Sequence, residues 1–220
     1  MDESELASRL EEGIELERAS RWAEAEGHYR RLLDSLPGLS PRDAVDLRLR
    51  HAHALLQLHK LDDAQRAFDL SLSAAKVLGD PMVLGRALLG AGVFAASRGD
   101  TRRGEEFLVA ALVKFHGRHD HEGIEGEGLA LLNLAAIYGG TKRLDLAFVT
   151  FDKARERLFA TENRVGVATA WEMQAGLRES LGDRQRAEQD FHEAMVHFAR
   201  EGLDTKVAEI QARIRGRRAV

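Results

Sequence analysis

The chain has 220 residues, 44% of them hydrophobic and 31% charged, with a formal net charge of -4. It has no cysteine, which excludes disulfides, thiol nucleophiles and thiolate metal ligands. This is the composition of a folded protein, and no apolar run approaches the roughly 20 residues of a membrane span. The net charge gives no overall attraction to nucleic acid or anionic lipid. We therefore expect a cytoplasmic protein that contacts no membrane.

Apolar residues recur at helical spacing along nearly the whole chain, and no stretch alternates with a period of two. The predicted fold class is therefore all-α. Two helix starts are explicit in the sequence. Ser40-Pro41 and Asp80-Pro81 each pair an N-capping side chain with a proline at the first helical position. The turn signals predict about ten helices of roughly 15–18 residues and a shorter last helix from about Thr205 to Arg215.

The twenty glycines contrast with only three prolines. Gly13 and Gly92 are predicted to lie where two helices cross closely. Four glycines around the histidine-rich segment are predicted to form an irregular loop: Gly117, Gly123, Gly126 and Gly128. A third group is predicted to end helices with a positive φ: Gly38, Gly79, Gly99, Gly139, Gly182 and Gly202.

A pattern of a small residue followed four positions later by a large apolar one recurs five times. Its first members lie 39, 40, 43 and 40 positions apart, at Ala25, Ala64, Gly104, Ala147 and Ala187. Another small residue precedes each by twelve positions, at Gly13, Ala52, Gly92, Ala135 and Ala175. Small residues let two antiparallel helices cross closely, and the large residue then fills the space beside them.

This pattern resembles the tetratricopeptide repeat family over nearly the whole chain. The resemblance implies a right-handed α-solenoid of five helical hairpins in one domain, residues 1–220. The repeats would cover about 6–39, 41–79, 81–117, 122–161 and 163–202, followed by a capping helix at 205–216. The period near forty, against about 34 in the family consensus, is similar to that of bacterial regulators and kinesin-light-chain-like peptide binders.

The resemblance also implies that the first helix of each hairpin lines a concave ligand-binding face. Mostly apolar with a few charges, this face would suit an extended peptide or an amphipathic helix. Alternatively, the chain's own packing buries these leucines as core. The expected peptide-binding residues are Leu49, Arg50, His53, Arg86, Leu89, Val93, Leu132, Asn133 and Met173.

Asn133 lies on an otherwise apolar helix face, where an amide is costly unless it is hydrogen-bonded. In the peptide-binding repeats that the chain resembles, an asparagine at this position holds the backbone of the ligand. The alternative is a bond to a neighbouring helix.

Three other motifs could suggest chemistry. The segment 116–121 has three histidines, which could hold Zn²⁺ or Ni²⁺, but its glycine and Arg118 favour a solvated connector. His192 and His197 are five residues apart, and a zinc-protease helix needs four. The segment from Gly90 to Ala95 matches the dinucleotide-binding motif G-x-G-x-x-A, but it lies inside a predicted helix. We therefore expect no catalytic residue, no metal and no cofactor.

The predicted function is a non-catalytic scaffold or adaptor that binds a protein or peptide. One alternative is a ligand-sensing regulatory component that acts in trans. Another is nucleic-acid binding through the arginine-rich tail, residues 212–218, although the same helix would cap the solenoid with Val207, Ile210 and Ile214 facing inward. The acidic start and basic end of the chain would also permit head-to-tail homo-oligomers.

Overall fold

The computed structural model describes residues 3–35 and 39–218, and within them it contains eleven α-helices and no strand. Gly38, one of the predicted helix ends, lies outside the described residues. The helices are α1 (Glu3–Arg18), α2 (Trp22–Ser35), α3 (Pro41–Gln57), α4 (Leu61–Leu78), α5 (Pro81–Ser97), α6 (Thr101–Phe115), α7 (His121–Gly140), α8 (Leu144–Ala160), α9 (Arg164–Ser180), α10 (Arg184–Arg200) and α11 (Asp204–Arg218). The all-α prediction is confirmed.

The helices form two compact units, residues 1–114 and 115–220, which we call unit 1 and unit 2. Unit 1 holds the hairpins α1–α2, α3–α4 and α5–α6, except that Phe115, the last residue of α6, belongs to unit 2. Unit 2 holds α7–α8, α9–α10 and the last helix, α11. In each hairpin we call the odd-numbered helix the first helix and the even-numbered one the second. That residues 1–220 form one domain stays a prediction.

The same turn joins the two helices in all five hairpins. One residue has a left-handed backbone, and the next N–H donates to the carbonyl five residues earlier, as from Arg21 to Leu16 and from Arg143 to Tyr138. This is the Schellman arrangement, which satisfies the last carbonyls of a helix. The left-handed residues recur at the spacing of the sequence repeat: Ser20, His59, Gly99, Lys142 and Gly182.

The glycine predictions are confirmed at four helix ends and wrong at Gly139. Positive φ angles occur at Gly79, Gly99, Gly182 and Gly202. Gly139 instead lies inside α7, where a Cβ would come within 3.0 Å of Leu177. The helix continues to Gly140, because the left-handed residue is Lys142. With 20 residues, α7 is longer than the 17-residue first helices α3, α5 and α9.

The crossing glycines are confirmed. A Cβ on Gly13 would lie 2.4 Å from the Tyr29 ring, and one on Gly92 would lie 2.7 Å from Leu108. The expectation of an irregular loop around residues 117–128 is wrong beyond residue 120. Gly126 lies within α7, where a Cβ would meet the Phe115 ring at 2.7 Å. Close packing therefore explains a glycine that the repeat pattern left without a role.

The large apolar residues of the repeat form the cores of the two units. All five are buried: Tyr29, Phe68 and Leu108 in unit 1, and Phe151 and Phe191 in unit 2. The predicted caps also form, since Ser40 accepts from the Asp43 N–H at 3.1 Å and Asp80 accepts from the Met82 N–H at 2.8 Å. The last helix, α11, packs Ile210 and Ile214 into the core of unit 2 beside Phe191.

Candidate functional site

Two ion pairs connect the first helices of unit 1. Arg50 on α3 donates from Nη1 to Glu17 Oε2 on α1 at 3.1 Å. Arg86 Nη2 on α5 lies 2.8 Å from the Asp46 carboxylate on α3. Both arginines are predicted binding residues, and their side chains are only partly exposed. The pairs therefore hold charge in place along the first helices without burying it.

Glu17 is also tied to the second helix of its hairpin. The Tyr29 hydroxyl donates to Glu17 Oε1 at 2.7 Å, while Arg50 occupies the other carboxylate oxygen. Burial raises the pKa of Tyr29 above its usual value, and the bond to Glu17 raises it further. Tyr29 thus stays a hydrogen-bond donor, and it fixes the carboxylate that orients Arg50.

Apolar and aromatic groups lie among these charges. Leu49 packs close to Gly90, where a Cβ would be 3.1 Å from Leu49 Cδ2. The His53 ring meets Trp22 edge-on, with the ring centroids 5.4 Å apart. Burial lowers the pKa of His53, and the neighbouring Arg50 charge lowers it further against the opposing effect of Glu17. His53 is therefore a neutral, partly apolar neighbour of Leu49.

Leu89 and Val93 continue the same surface along α5. They lie three and seven residues beyond Arg86, a spacing that repeats on one side of a helix. Both side chains are half-buried. We call the six predicted residues of unit 1 the first-helix face: Leu49, Arg50, His53, Arg86, Leu89 and Val93.

The three predicted residues of unit 2 have different surroundings. Leu132 is only 4% exposed and packs in the core with Phe151. Asn133 donates from Nδ2 to the Leu129 carbonyl of its own helix at 2.8 Å, so its bond is not to a neighbouring helix. Met173 is 38% exposed. Of the three, only Asn133 and Met173 present side-chain surface that a ligand could contact.

A buried polar network in unit 2 was missed by sequence reasoning. Gln174 on α9 and Asp190 on α10 are 2% and 4% exposed. Gln174 Nε2 donates to Asp190 Oδ2 at 2.9 Å, and Arg178 Nη1 donates to Asp190 Oδ1 at 3.1 Å. Arg155 on α8 donates to Gln174 Oε1 at 3.0 Å. The only signal in the sequence is position, because Gln174 and Asp190 directly precede the buried repeat residues Ala175 and Phe191.

Burial dominates the electrostatics of this network. It raises the pKa of Asp190, although the bond from Gln174 and the charges of Arg178 and Arg155 oppose the shift. It lowers the pKa of Arg155, whose guanidinium stacks 3.7 Å from the centroid of the Trp171 ring. The network is hydrogen-bonded throughout, so we assign it to the packing of α8, α9 and α10.

The histidine-rich segment is a connector that caps α7. Asp120 accepts from the Gly123 N–H at 2.9 Å, and His121 Nε2 lies 3.1 Å from the Thr161 carbonyl. His116 Nδ1 lies 3.4 Å from Glu127, which also pairs with Arg157. In the parts of the chain that the structure describes, no group of three or more metal-binding side chains comes together.

One arginine of the last helix, α11, makes contacts within the protein. Arg213 donates to Glu179 at 2.6 Å and lies over the Phe191 ring, with Cζ 5.0 Å from its centroid. None of the helices in the described ranges is both long and apolar enough to cross a membrane.

A small cavity of about 250 Å³ lies within unit 1. Ten residues of α4, α5, α6 and the α5–α6 turn line it: Gln65, Phe68, Asp69, Ala91, Phe94, Ala95, Arg98, Asp100, Arg103 and Phe107. None of them was predicted as a site residue, because most belong to second helices or to a turn.

No protein-family model and no curated protein matches the chain. Solved structures do. A STAND protein with a tetratricopeptide repeat sensor from Pyrococcus horikoshii aligns with 94% of this chain at 14% identity and a TM-score of 0.69. A Rap protein complexed with Competence and Sporulation Factor aligns with 98% at 17% identity and a TM-score of 0.67. The chain spans 31% of the first structure and 64% of the second.

A third structure is similar over its full length. A putative kinesin light chain from Podosopora anserina, with nearly identical TPR-like repeats, aligns with 92% of this chain and 99% of its own at 12% identity and a TM-score of 0.62. Together with the hairpins and their repeated turn, these likenesses define the fold class. The chain has the α-solenoid fold of tetratricopeptide repeat proteins.

Proposed function

We propose that this protein is a non-catalytic scaffold or adaptor that binds an extended peptide segment of a partner protein on the first-helix face. The observation that carries the proposal is the alternation on that face. Half-buried apolar groups, Leu49, Leu89 and Val93, lie beside charges that are already oriented by Glu17 and Asp46. Apolar anchors between fixed polar groups suit a peptide whose side chains enter shallow pockets.

The paired charges are prearranged for a ligand. Arg50 and Arg86 are held in position before any ligand arrives, so a partner meets them at a small entropic cost. Partly exposed pairs contribute little to stability by themselves. Keeping them in consecutive hairpins therefore supports a recognition role for this face.

The similar solved structures are consistent with two versions of the proposal. One is named for a tetratricopeptide repeat sensor, and another is a Rap protein complexed with Competence and Sporulation Factor. These names favour, as a second candidate, a ligand-sensing component that regulates a partner in trans. Both versions place the binding event on the solenoid and require no reaction.

A random peptide library selected against the full-length chain tests the proposal. We expect enriched peptides to bind the double variant Leu89→Gln/Val93→Gln about tenfold or more weakly than wild type, because two apolar anchors are lost. Fluorescence anisotropy of the labelled peptides measures the change.

Val109→Gln/Val113→Gln is the matched control. These two valines are also four residues apart in unit 1, but they are exposed on the second helix α6. The control should bind the selected peptides with unchanged affinity. Equal weakening in both double variants, or no enriched peptide, would contradict the assignment to the first-helix face.

A further inference from the structure

We propose that the 250 Å³ cavity of unit 1 is a binding site for a small aromatic carboxylate, separate from the first-helix face. The cavity lies between α4, α5 and α6, and residues from all three helices line it. Its volume is about 250 Å³. A cavity of roughly 150 Å³ with apolar walls is enough to hold benzene, so this one has room for one aromatic ring and a short acidic substituent.

Part of the lining is aromatic or apolar. Phe68 and Phe94 are buried, with their ring centroids 5.2 Å apart, and Ala91 and Ala95 lie on the same helix as Phe94. Phe107 on α6 adds a third aromatic ring. Aromatic rings at these separations favour an edge or offset contact with another ring. Three aromatic rings therefore line the cavity beside its polar side chains.

The charged groups of the lining are not equally available. Asp100 accepts from the Arg103 N–H at 3.1 Å, and Asp69 accepts from Gln65 Nε2 at 3.0 Å. Among the residues that the structure describes, the guanidinium groups of Arg98 and Arg103 have no carboxylate partner. The Arg103 guanidinium instead lies over the Phe107 ring, with Cζ 5.2 Å from its centroid.

The lining holds two carboxylates and two guanidinium groups, and they differ in their hydrogen bonds. The two carboxylates already accept hydrogen bonds, while the two guanidiniums retain their donors, and a guanidinium binds a carboxylate in a strong charge-assisted pair. Arg98 is the C-cap residue of α5 and directly precedes the turn residue Gly99, whose φ is +85°. A ligand could place its ring against the aromatic side chains and its carboxylate between Arg98 and Arg103. It would then contact both the aromatic lining and the two guanidinium groups.

The test is an NMR titration of the ¹⁵N-labelled full-length chain with phenylacetate. We expect saturable shifts of amide signals in α4, α5 and α6, and we expect benzyl alcohol, which has the ring without the charge, to bind about tenfold more weakly. Acetate, which has the charge without the ring, should bind more weakly than phenylacetate too.

Two adjacent arginines provide the matched variants. Arg103 lines the cavity, whereas Arg102 pairs with Glu106 at 3.0 Å and is absent from the lining. We expect Arg103→Gln to weaken phenylacetate binding several-fold and Arg102→Gln to leave it unchanged, with both variants keeping the wild-type melting temperature.

Three results would overturn the proposal: no saturable binding of phenylacetate, equal binding of phenylacetate and benzyl alcohol, or equal weakening by the two arginine variants. Because the first-helix face shares none of the lining residues, the peptide experiment can fail while this one succeeds. The reverse outcome is equally distinguishable.

Discussion

The same hairpin supports partly exposed ion pairs between the first helices of unit 1 and a buried polar network in unit 2. In unit 1 the polar pairs Glu17–Arg50 and Asp46–Arg86 lie partly exposed between successive first helices. In unit 2 Asp190 and Gln174 are almost completely buried and bonded to each other. Partly exposed pairs add little free energy, whereas breaking a buried charged pair leaves an uncompensated charge. One repeat can therefore support either an adaptable polar surface or a fixed polar interior.

The largest expected effect is at Asp190 in unit 2, and the substitution compared with it in unit 1 is at Asp46. Asp190→Ala should lower the free energy of unfolding by about 3–5 kcal/mol, because Arg178 loses its buried partner. Asp46→Ala should cost about 1 kcal/mol or less. Urea unfolding measures both changes, since each unit has one tryptophan, Trp22 in unit 1 and Trp171 in unit 2. Similar losses in the two variants would remove the distinction between the units.

Glycines in close contact with a large side chain should give effects of intermediate size, equal in the two units. Gly92→Ala brings a Cβ to 2.7 Å from Leu108, and Gly126→Ala brings one to 2.7 Å from the buried Phe115 ring. Overpacking of this kind costs about 1–3 kcal/mol. Thermal unfolding would measure the loss in each variant.

Helical glycines with space around them are the controls for this prediction. The nearest atom to a Cβ at Gly27 is 3.6 Å away, and at Gly176 it is 3.7 Å away. Alanine at these sites should stabilise its unit by up to about 1 kcal/mol through helix propensity. If alanine at Gly92 or Gly126 also stabilises its unit, close packing is not the reason for glycine at these two positions.

Burial should make the two units respond to acid in opposite directions. The lowered pKa of His53 means that the folded state of unit 1 disfavours the protonated imidazole. Its contribution to stability is present above about pH 6.5 and is lost as the pH falls through the folded-state pKa. The urea midpoint of unit 1 should therefore fall as the pH drops below about 6.5, and His53→Gln should flatten that dependence.

Asp190 should act in the opposite sense. Its raised pKa means that the folded state of unit 2 binds the proton more tightly than the unfolded chain does. Its contribution is fully present below the unfolded-state pKa of about 3.9 and declines as the pH rises through the folded-state pKa. In Asp190→Asn, the midpoint of unit 2 should lose this part of its pH dependence. A wild-type profile with the same slope in both units would contradict the assignment.

The smallest expected effect is at Asn133. Its amide bonds to a carbonyl of its own helix, and alanine is the better helix former, so the two changes nearly cancel. Asn133→Ala should change the free energy of unfolding of unit 2 by less than about 0.5 kcal/mol. A larger loss of free energy in urea unfolding would show that the Asn133 amide stabilises unit 2 in the way that the buried network of Gln174 and Asp190 is expected to do.

The repeat could be predicted from the sequence because it reflects steric size. A small residue such as Gly13 and a large one such as Tyr29 must meet wherever two helices cross. The end of α7 could not be predicted in this way. A Gly-Gly pair is typical of a helix end, but here the left-handed residue is Lys142, which a sequence pattern would not select. Helix ends depend on the backbone of the turn as well as on residue type.

The polar groups were harder to predict because their environment comes from distant parts of the chain. Asp190 looks like an ordinary surface charge on α10 until α8 and α9 cover it. On the first-helix face, the period indicated which residues share a side of their helix. It did not indicate that Arg86 would pair with Asp46, forty residues earlier. The cavity of unit 1 needs three helices and a turn, so no local pattern could point to it.

The left-handed turn inside every hairpin also bears on how such a chain can grow. The turn accepts serine, histidine, glycine or lysine at its central position and keeps the same hydrogen bond. A hairpin that is duplicated or deleted as a whole therefore carries its own turn with it, whatever residue stands at the centre of that turn. Length should vary among homologous chains in steps of one hairpin, and copy number would then set how much binding surface each chain offers.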